Sequence, residues 1–269
     1  MIKRQMKKKM GITMTVLAIA LSLSGCATTG DNQTLPAPTV EKVQFLRVGI
    51  NSTAPPLIFK EGTRTTGLEA DLARALAQEL GKTVRFIELS WNDLISALLD
   101  NRIDIIMSGM TITKAREIRI AFTEPYLKAG QMALVLRENY HRYPSLSSIK
   151  MSSSRVGVVK GTTGEFFVQQ EFLMARKISF PTPEEGVQSL VEGRIDLFVH
   201  DAPVIWWMAS EREADGLTPL SFLLTQENLA WGIRKEDREL LQSVNQFLEA
   251  WKNDGRLHKA IEYWMPLAD

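Results

Sequence analysis

Cysteine and histidine are scarce in this sequence, which has one cysteine, Cys26, and three histidines among 269 residues. A single cysteine cannot close an intrachain disulfide, and the clustered Cys and His ligands of a zinc site are missing. The loop Gly161-Thr162-Thr163-Gly164 also lacks the Gly-Lys-Ser/Thr ending of a phosphate-binding P-loop. We therefore expect neither a metal site nor a cofactor.

Long apolar runs are absent except near the start of the chain. Five basic residues between Lys3 and Lys9 precede an apolar stretch from about Ile12 to Leu23, which is shorter than the roughly 20 residues that span a bilayer. This arrangement is typical of a secretory signal peptide. Its end, Leu23-Ser24-Gly25-Cys26, resembles a bacterial lipobox, in which Cys26 is acylated and cleavage follows Gly25. An ordinary signal peptide with an incidental cysteine is the alternative.

The expected location follows from this leader. We predict a lipoprotein signal peptide over residues 1–25 and a flexible tether over residues 26–43, which are polar and contain Pro36 and Pro38. The acyl chains on Cys26 would hold the protein on the periplasmic side of a bacterial membrane. Ala27 stands where an Asp would favour the inner membrane, so the outer membrane is favoured in a Gram-negative cell.

Neither sign of charge dominates, since the chain has 32 basic and 31 acidic residues. Removing the five basic residues of the leader changes the formal net charge from +1 to −4. A mildly acidic exported protein has no electrostatic reason to bind nucleic acid, and we expect none as a partner.

Segments of strand length and helix length alternate after Val43. Because strands separated by helices favour parallel α/β units, the pattern predicts an α/β protein. The predicted strands are Gln44–Ile50, Thr83–Leu89, Ile103–Met107, Val156–Val159 and Leu229–Ile233, and the predicted helices are Leu68–Leu80, Trp91–Leu99, one from Glu165, Pro203–Glu213, Glu236–Lys252 and Arg256–Trp264.

One stretch of the sequence occurs twice in similar form. Residues 97–109 read ALLDNRIDIIMSG, and residues 189–201 read SLVEGRIDLFVHD. Each combines a helix end, a tight turn, Arg-Ile-Asp and a buried strand that opens into polar residues. Two α/β units can resemble each other by chance, but the echo also fits two lobes of like construction. Each lobe would then present a polar loop at the carboxyl end of a strand, where open α/β sheets bind ligands.

Three segments carry side chains suited to a charged small molecule. Arg116 follows the loop that starts at Ser108, and its planar guanidinium matches a carboxylate, although such an arginine is more often a solvated helix residue. Thr162 and Thr163 precede a helix whose amino terminus would attract an anion, or Thr162 is a simple N-cap. Asp201 ends a strand and suits an ammonium group, or it caps the next helix.

Taken together, the motifs identify a family resemblance. The segments LRVGINSTAPPLIF, GLEADLARALAQELG, SGMTITKAREIRIAFTEPY, VGVVKGTTGE, GRIDLFVHDAPV and AWGIRKEDRELL resemble the polar amino-acid-binding proteins of bacterial ABC importers, solute-binding family 3, over roughly Phe45 to Pro266. The resemblance implies a two-lobed periplasmic-binding-protein fold of type II with a ligand cleft. It also implies a monomeric binding protein, not an enzyme, that serves ABC permease subunits.

The family pattern also implies boundaries. Lobe 1 would comprise residues 44–133 and 230–269, and lobe 2 residues 137–224. The two crossings, or hinges, would lie near residues 133–136 and 225–229. Closure about these hinges would let one ligand contact both lobes.

The resemblance further implies residue roles. Arg116 would bind the α-carboxylate with the amides of Thr111 and Thr163. Asp201 would bind the α-ammonium with the Thr111 hydroxyl and the Gly109 carbonyl. Trp91 would lie against the ligand side chain, and Ser108 and Thr162 belong to the same two loops.

Specificity is less well defined by the sequence. Many family members have an aromatic residue where this chain has Ala54, so one wall of the usual aromatic sandwich is missing and a bulkier ligand becomes possible. Four further residues are predicted to be near the specificity pocket: Asn51, Lys160, Glu165 and His200.

Two other functions are compatible with the sequence. Periplasmic cyclohexadienyl dehydratases share this fold, and Glu165 or Glu124 would then be the general acid. Sensory or envelope-interaction proteins also contain such domains, and a role of that kind would require a partner.

Overall fold

The computed structural model describes residues 43–266. The signal peptide, the lipidation site Cys26 and nearly all of the tether predicted above therefore lie outside the described residues. Over residues 43–266, no helix is both long enough and apolar enough to cross a membrane.

The described chain alternates strands and helices. Its strands are β1 Phe45–Ile50, β2 Thr53–Ala54, β3 Ile58–Glu61, β4 Arg64–Thr66, β5 Thr83–Glu88, β6 Ile105–Ile106, β7 Ala121–Phe122, β8 Leu127–Ala129, β9 Gln131–Leu136, β10 Arg155–Val159, β11 Arg176–Phe180, β12 Leu197–Asp201, β13 Leu217–Pro219, β14 Glu227–Leu229 and β15 Gly232–Ile233. Its α-helices are α1 Leu68–Glu79, α2 Leu94–Leu99, α3 Lys114–Glu117, α4 Leu146–Lys150, α5 Thr163–Glu171, α6 Pro183–Val191, α7 Ala202–Glu211, α8 Arg238–Asn253 and α9 Arg256–Trp264. Short 3-10 helices occur at Trp91–Asp93, Arg137–Arg142 and Glu213–Asp215.

Two five-stranded sheets define two lobes. The lobe 1 sheet has the order β5-β1-β6-β15-β7, and the lobe 2 sheet has the order β11-β10-β12-β9-β13. In each sheet three neighbouring strands are parallel, and the fourth strand, β15 or β9, runs antiparallel to them. The outermost strand, β7 or β13, pairs antiparallel with the fourth and so runs parallel to the first three. Lobe 1 contains the first strand and also β15, α8 and α9, because the chain returns to it near its end.

Each lobe buries its own apolar residues. In lobe 1, α1 packs its apolar face on the sheet, and the largest fully buried side chain is Trp231. In lobe 2, Phe198 of β12 is fully buried between helices and sheet. The alternating strands and helices therefore fold into two lobes, each with its own core. Because the lobes are separate, loops of both can face a common cleft.

The sequence echo corresponds to an equivalent ion pair in each lobe. Asp104 accepts hydrogen bonds from the backbone nitrogen of Arg47 at 2.8 Å and from its Nε at 3.1 Å. Asp196 accepts from the backbone nitrogen and Nε of Arg155 at the same two distances. Each aspartate thus binds the arginine on the neighbouring strand, β1 or β10. The lobes share this construction in detail.

Several element boundaries differ from the sequence prediction. The predicted strand Ile103–Met107 is shorter in the structure and comprises Ile105–Ile106. The predicted strand Leu229–Ile233 divides into the end of β14 and the separate strand β15, which belong to different sheets. By contrast, Arg256–Trp264 is a helix with the predicted bounds.

The first crossing lies earlier in the chain than residues 133–136. Those residues belong to β9, which pairs with β12 and β13 inside the lobe 2 sheet. The strand that pairs with the second crossing is β8, since Leu127–Ala129 runs antiparallel to Glu227–Leu229. The apolar run of β9 does not reveal this, because a crossing strand and a buried sheet strand have the same hydrophobic pattern.

Candidate ligand-binding site

A cavity that is partly open to solvent lies between the lobes. Loops at the carboxyl ends of β1 and β6 form its lobe 1 side, and loops after β10 and β12 form its lobe 2 side. Its lining residues are Asn51, Thr53, Ala54, Trp91, Ser108, Gly109, Thr111, Arg116, Val159, Thr162, Thr163, Pro183, His200 and Asp201.

The loop that begins at Ser108 is fixed from behind by a buried acid. Glu69 of α1 accepts the backbone N–H of Gly109 at 2.6 Å and the indole N–H of Trp231 at 3.2 Å. Complete burial raises the pKa of Glu69 to about 7, although these hydrogen bonds oppose the shift. Gly109 has φ +66°, a left-handed conformation that favours glycine. The loop conformation is thus determined by Glu69 as well as by its own sequence.

Arg116 is the cation of the cavity. Its Nη1 donates to the carbonyl oxygen of Thr111 at 2.8 Å, and its guanidinium carbon lies 5.3 Å from the ring centroid of Trp91. Among residues 43–266, no carboxylate oxygen lies within 4 Å of its nitrogens. Burial lowers the pKa of Arg116, opposed by the more distant charges of Asp201 and Glu227. A buried fork of donors without a carboxylate partner is suited to an anionic ligand group.

The amino terminus of α5 forms part of the opposite wall. Thr162 is its N-cap and accepts the backbone N–H of Glu165 at 3.3 Å. The Thr N-cap considered above is therefore present. It leaves the first N–H groups of the helix, including that of Thr163, without partners inside the helix, so the anion-suited terminus is present as well.

Asp201 is held in the cavity by a side chain that sequence reasoning missed. Its Oδ1 accepts from Nε2 of Gln131 at 2.5 Å, and it makes no side-chain cap to α7. Asp201 therefore occupies the N-cap position of α7, as the alternative interpretation expected, but its side chain does not cap the helix. Burial raises the pKa of Asp201 to about 7, reinforced by Glu227 and opposed by Gln131 and Arg116.

His200 is adjacent and neutral. Burial lowers its pKa to about 4. Its Nδ1 accepts the backbone N–H of Asp201 at 2.7 Å, so the ring proton is on Nε2. His200 therefore contributes a neutral ring to the lining of the cavity and no charge near pH 7.

Trp91 joins the two lobes. Its indole nitrogen donates to the carbonyl oxygen of Gly161 at 2.9 Å. Gly161 has φ +79°, and a Cβ there would lie 2.2 Å from the side-chain oxygen of Asn92. Glycine at this position thus allows the lobe 2 loop to approach the 3-10 helix at Trp91–Asp93.

Two predicted specificity residues do not line this cavity. Lys160 is exposed. Glu165 is occupied by its own lobe, because it accepts the Gly161 N–H at 2.8 Å and the Ser179 hydroxyl at 2.5 Å. Glu124, the other candidate for a dehydratase acid, is exposed and is also absent from the lining. Asn51, Ala54 and His200 do line the cavity.

Three residues that sequence reasoning did not single out connect the cavity to the crossings. Gln131 begins β9, Thr225 precedes β14, and Glu227 begins β14. Gln131 is hydrogen-bonded to Thr163, Asp201 and Thr225. Glu227 is hydrogen-bonded to Thr111, Thr163 and Thr225. No sequence motif marked them, since their partners are between 32 and 116 positions away, apart from the local Thr225–Glu227 contact.

Between residues 43 and 266, no three His, Cys, Asp or Glu side chains are grouped so that they could hold a metal ion.

Comparison with known proteins gives a consistent result. The family model for bacterial extracellular solute-binding proteins, family 3, matches residues 46–266. ABC transporter arginine-binding protein 1 of Escherichia coli (strain K12) is 26% identical over 239 residues, covering 87% of this chain and 94% of that protein. The probable histidine-binding protein of Neisseria gonorrhoeae is 29% identical and covers 94% of each chain.

Solved structures agree in fold. An ancestral amino acid-binding protein, described as a precursor of cyclohexadienyl dehydratase, is 38% identical with a TM-score of 0.77, covering 82% of this chain and 95% of that one. A putative ABC transporter binding component from Wolinella succinogenes, complexed with lysine, is 31% identical with a TM-score of 0.79 and the same coverage. The chain therefore belongs to the bacterial extracellular solute-binding proteins, family 3, and has their two-lobed, type II periplasmic-binding-protein fold.

Proposed function

We propose that this protein is an extracytoplasmic, lipid-anchored binding protein that captures an α-amino acid between its lobes for an ABC importer. The observation that carries the proposal is the pairing of opposite charges in one cavity. The Arg116 guanidinium has no carboxylate within 4 Å in the described chain, and Asp201 lines the same cavity. A zwitterion supplies the complement of both.

The carboxylate of the ligand would bind on the Arg116 side. The planar guanidinium offers parallel donors, and the Thr163 N–H at the start of α5 adds a donor from the other lobe. Because a buried charge is costly unless it is paired, the ligand carboxylate compensates the burial of Arg116.

The ammonium of the ligand would bind on the Asp201 side. Asp201 supplies a carboxylate, and the Thr111 hydroxyl and the Gly109 carbonyl supply neutral acceptors. An ammonium has three donors, so these three acceptors would satisfy it completely. An acid without the amino group would leave them unsatisfied, and this explains selection of amino acids over simple carboxylates.

Lobe closure would couple these contacts. The protein groups that would bind the ligand carboxylate come from both lobes, and so do those that would bind its ammonium. The amino acid would therefore make its full set of bonds only in the closed form. It therefore shifts the population toward closure. The Trp91–Gly161 hydrogen bond is a direct contact between the lobes in that form. A permease would bind the closed surface.

The rest of the cavity favours an uncharged ligand side chain. Asp201 is the only carboxylate among the lining residues named above, and we assign it to the α-ammonium. Asn51 is neutral, and its amide already donates to Leu89 and accepts from Thr53. A lysine or arginine side chain would be buried there without a countercharge. Ala54 leaves room for a side chain larger than those of glycine or alanine.

A thermal-shift panel of the twenty amino acids, with the purified protein, tests this function. We expect a neutral, polar amino acid such as glutamine to raise the melting temperature most, since a ligand at 100 times its Kd stabilises by about 2.7 kcal/mol. A panel in which no amino acid raises the melting temperature would disprove amino-acid binding. The largest shift with arginine or lysine would disprove only the neutral pocket.

The lipid anchor is tested separately. Mass spectrometry of the membrane fraction should find the mature chain starting at an acylated Cys26. Replacing Cys26 with Ser should move the protein to the soluble periplasmic fraction. Retention of Cys26→Ser protein in the membrane fraction would contradict the anchor.

A further inference from the structure

Glu227 binds three threonine hydroxyls from three parts of the molecule. Its Oε2 accepts from Thr111 at 2.8 Å and from Thr163 at 2.9 Å, and its Oε1 accepts from Thr225 at 2.7 Å. Thr111 belongs to the lobe 1 loop, Thr163 to the first turn of α5 in lobe 2, and Thr225 to the crossing segment. One carboxylate therefore connects both lobes and the crossing.

The residues that follow Glu227 are hydrogen-bonded to the lobe 1 loop. The adjacent residue Asn228 accepts the backbone N–H of Ile112 at 2.9 Å, and Leu229 forms a bridge with Thr111. The bond from Thr163 is the one that spans the lobes. Separation of the lobes would break it, while the bond from Thr111 would persist.

The direction of these bonds fixes what the threonines offer the cavity. A carboxylate only accepts hydrogen bonds, so each hydroxyl gives its single proton to Glu227. The Thr111 oxygen, which lines the cavity, can then only accept. Such an oxygen suits an ammonium group and is unsuited to a carboxylate.

Glu227 is also connected to Asp201. Nε2 of Gln131 donates both to the Thr163 hydroxyl oxygen at 3.1 Å and to Oδ1 of Asp201 at 2.5 Å. The two acids thus belong to one hydrogen-bonded network, Glu227–Thr163–Gln131–Asp201. Glu227 does not line the cavity, so its charge acts from behind the threonines.

We infer that Glu227 is a positioning residue for the ligand ammonium: it orients the Thr111 hydroxyl as an acceptor, adds a second negative charge behind Asp201, and completes this arrangement only when Thr163 closes onto it. The inference rests on the proposed amino-acid function and deepens it. It explains why the amino group would be recognised mainly in the closed form.

The test compares wild type with Glu227→Gln by calorimetry. The probes are the amino acid with the largest shift in the panel above and the same acid lacking its α-amino group. At pH 8 we expect Glu227→Gln to reduce the affinity for the amino acid about 10-fold or more, because a hydrogen-bonded charge is lost. The affinity for the deaminated acid should stay within about 2-fold of wild type. Glu171→Gln, which removes an exposed acid paired with Lys150, is the matched control and should change neither.

A pH series separates positioning from a merely structural role. The charged or titratable side chains that face Asp201 are Arg116, Glu227, His200 and Tyr126. Burial lowers the pKa of His200 to about 4 and raises that of Tyr126. Amino-acid affinity is expected to fall at acidic pH as Asp201 becomes protonated, and this fall is the acid limb of the pH profile. Since Glu227 raises the pKa of Asp201, Glu227→Gln should move the acid limb to lower pH.

Each outcome is decisive. Equal weakening of both probes with an unchanged pH limb would show a structural hinge role and overturn the inference, as would wild-type affinity in Glu227→Gln. If Glu227→Gln does not fold, Thr163→Val is the second variant, because it removes the bond from Thr163 to Glu227. It should reduce the affinity for the amino acid more than the affinity for the deaminated acid. Wild-type affinity of Thr163→Val would then overturn the inference. If the wild type binds no amino acid, the proposed function fails, and this inference fails with it.

Discussion

The indole N–H of Trp91 donates to the carbonyl oxygen of Gly161 at 2.9 Å, and this bond joins lobe 1 to lobe 2 beside the ligand cavity. The same indole ring lies 5.3 Å from the guanidinium carbon of Arg116. Trp91 therefore contributes to two events at once: it holds the lobes together, and it packs against the cation that is expected to bind the ligand carboxylate.

Replacing Trp91 with Phe should separate these two contributions. The ring remains beside Arg116, but the bond to Gly161 is lost, so the closed form should lose about 1 kcal/mol and amino-acid affinity should fall about 5-fold. Titration calorimetry measures the change. Trp251→Phe is a matched control, because the buried Trp251 indole nitrogen has no hydrogen-bond partner within residues 43–266. Equal losses in the two variants would argue against a closing bond.

Arg116 should not tolerate replacement by lysine. Lysine keeps the charge, but it lacks the planar fork and the stacking on Trp91, so we expect affinity for the amino acid to fall about 100-fold or more. Arg116→Ala should abolish binding. Without ligand, both Arg116 variants should melt at a temperature at least as high as that of wild type, since burial of the guanidinium is unfavourable without an anion. Arg119→Lys, at an exposed neighbour, is the control, and unchanged affinity in Arg116→Ala would remove Arg116 from the site.

Amino-acid affinity should depend on pH through Asp201. Its pKa in the unliganded protein is raised to about 7, and only the ionised carboxylate can pair with an ammonium. Affinity should therefore be highest above pH 7 and fall by up to about 10-fold per pH unit below it.

Proton release provides an independent check of that dependence. Below pH 7, binding should expel about one proton from Asp201, because the ammonium favours the ionised form. Calorimetry in buffers of different ionisation enthalpy measures this number directly. Asp201→Asn should lose both the proton release and the pH limb. A wild-type affinity that stays flat between pH 5.5 and 8 would contradict the assignment of Asp201 to the ammonium.

Local patterns predicted most of the architecture. The alternation of strands and helices, the bounds of α9 and the twofold echo at Asp104 and Asp196 all arise from short-range sequence features. The first crossing was misplaced into β9 because its apolar run is identical in character to a sheet strand. Only the pairing of β8 with β14 distinguishes the two, and pairing is not visible in one sequence.

The candidate site was predictable where a residue carries a charge next to a recognisable loop. Arg116 and Asp201 satisfy that condition. Gln131 and Glu227 do not, since they lie in segments without a motif and, apart from the local Thr225–Glu227 contact, their partners are at least 32 residues away. Glu69 lies in a segment that resembles the family, but its partners Gly109 and Trp231 are at least 40 residues away, so the segment did not reveal its role. Glu165 was misassigned for a related reason. Its position one turn into α5 fits a cleft residue, but its actual partners, Lys177 and Ser179, come from the next strand.

The repeated aspartates Asp104 and Asp196 should stabilise the two lobes to a similar degree. Each forms a bidentate bond with an arginine and accepts that residue's backbone N–H. Charged hydrogen bonds of this kind contribute roughly 1.5–3 kcal/mol, so Asp104→Asn and Asp196→Asn should each reduce the free energy of unfolding by about 2 kcal/mol. Chemical denaturation at pH 7 measures the loss, and Asp215→Asn, whose partner Arg212 has other acceptors, should change it little.

The pH dependence of that loss follows from the direction of the pKa shifts. Burial opposes ionisation of Asp104, but the bonds from Arg47 prevail and lower its pKa, and the bonds from Arg155 lower that of Asp196. A depressed pKa stabilises the fold above the unfolded value of about 3.9, and the contribution is lost as pH falls through the folded value. The difference in the free energy of unfolding between wild type and either variant should therefore be largest at pH 7 and shrink below pH 4. A difference that stays constant down to pH 3 would mean that packing, not the charge, accounts for the loss.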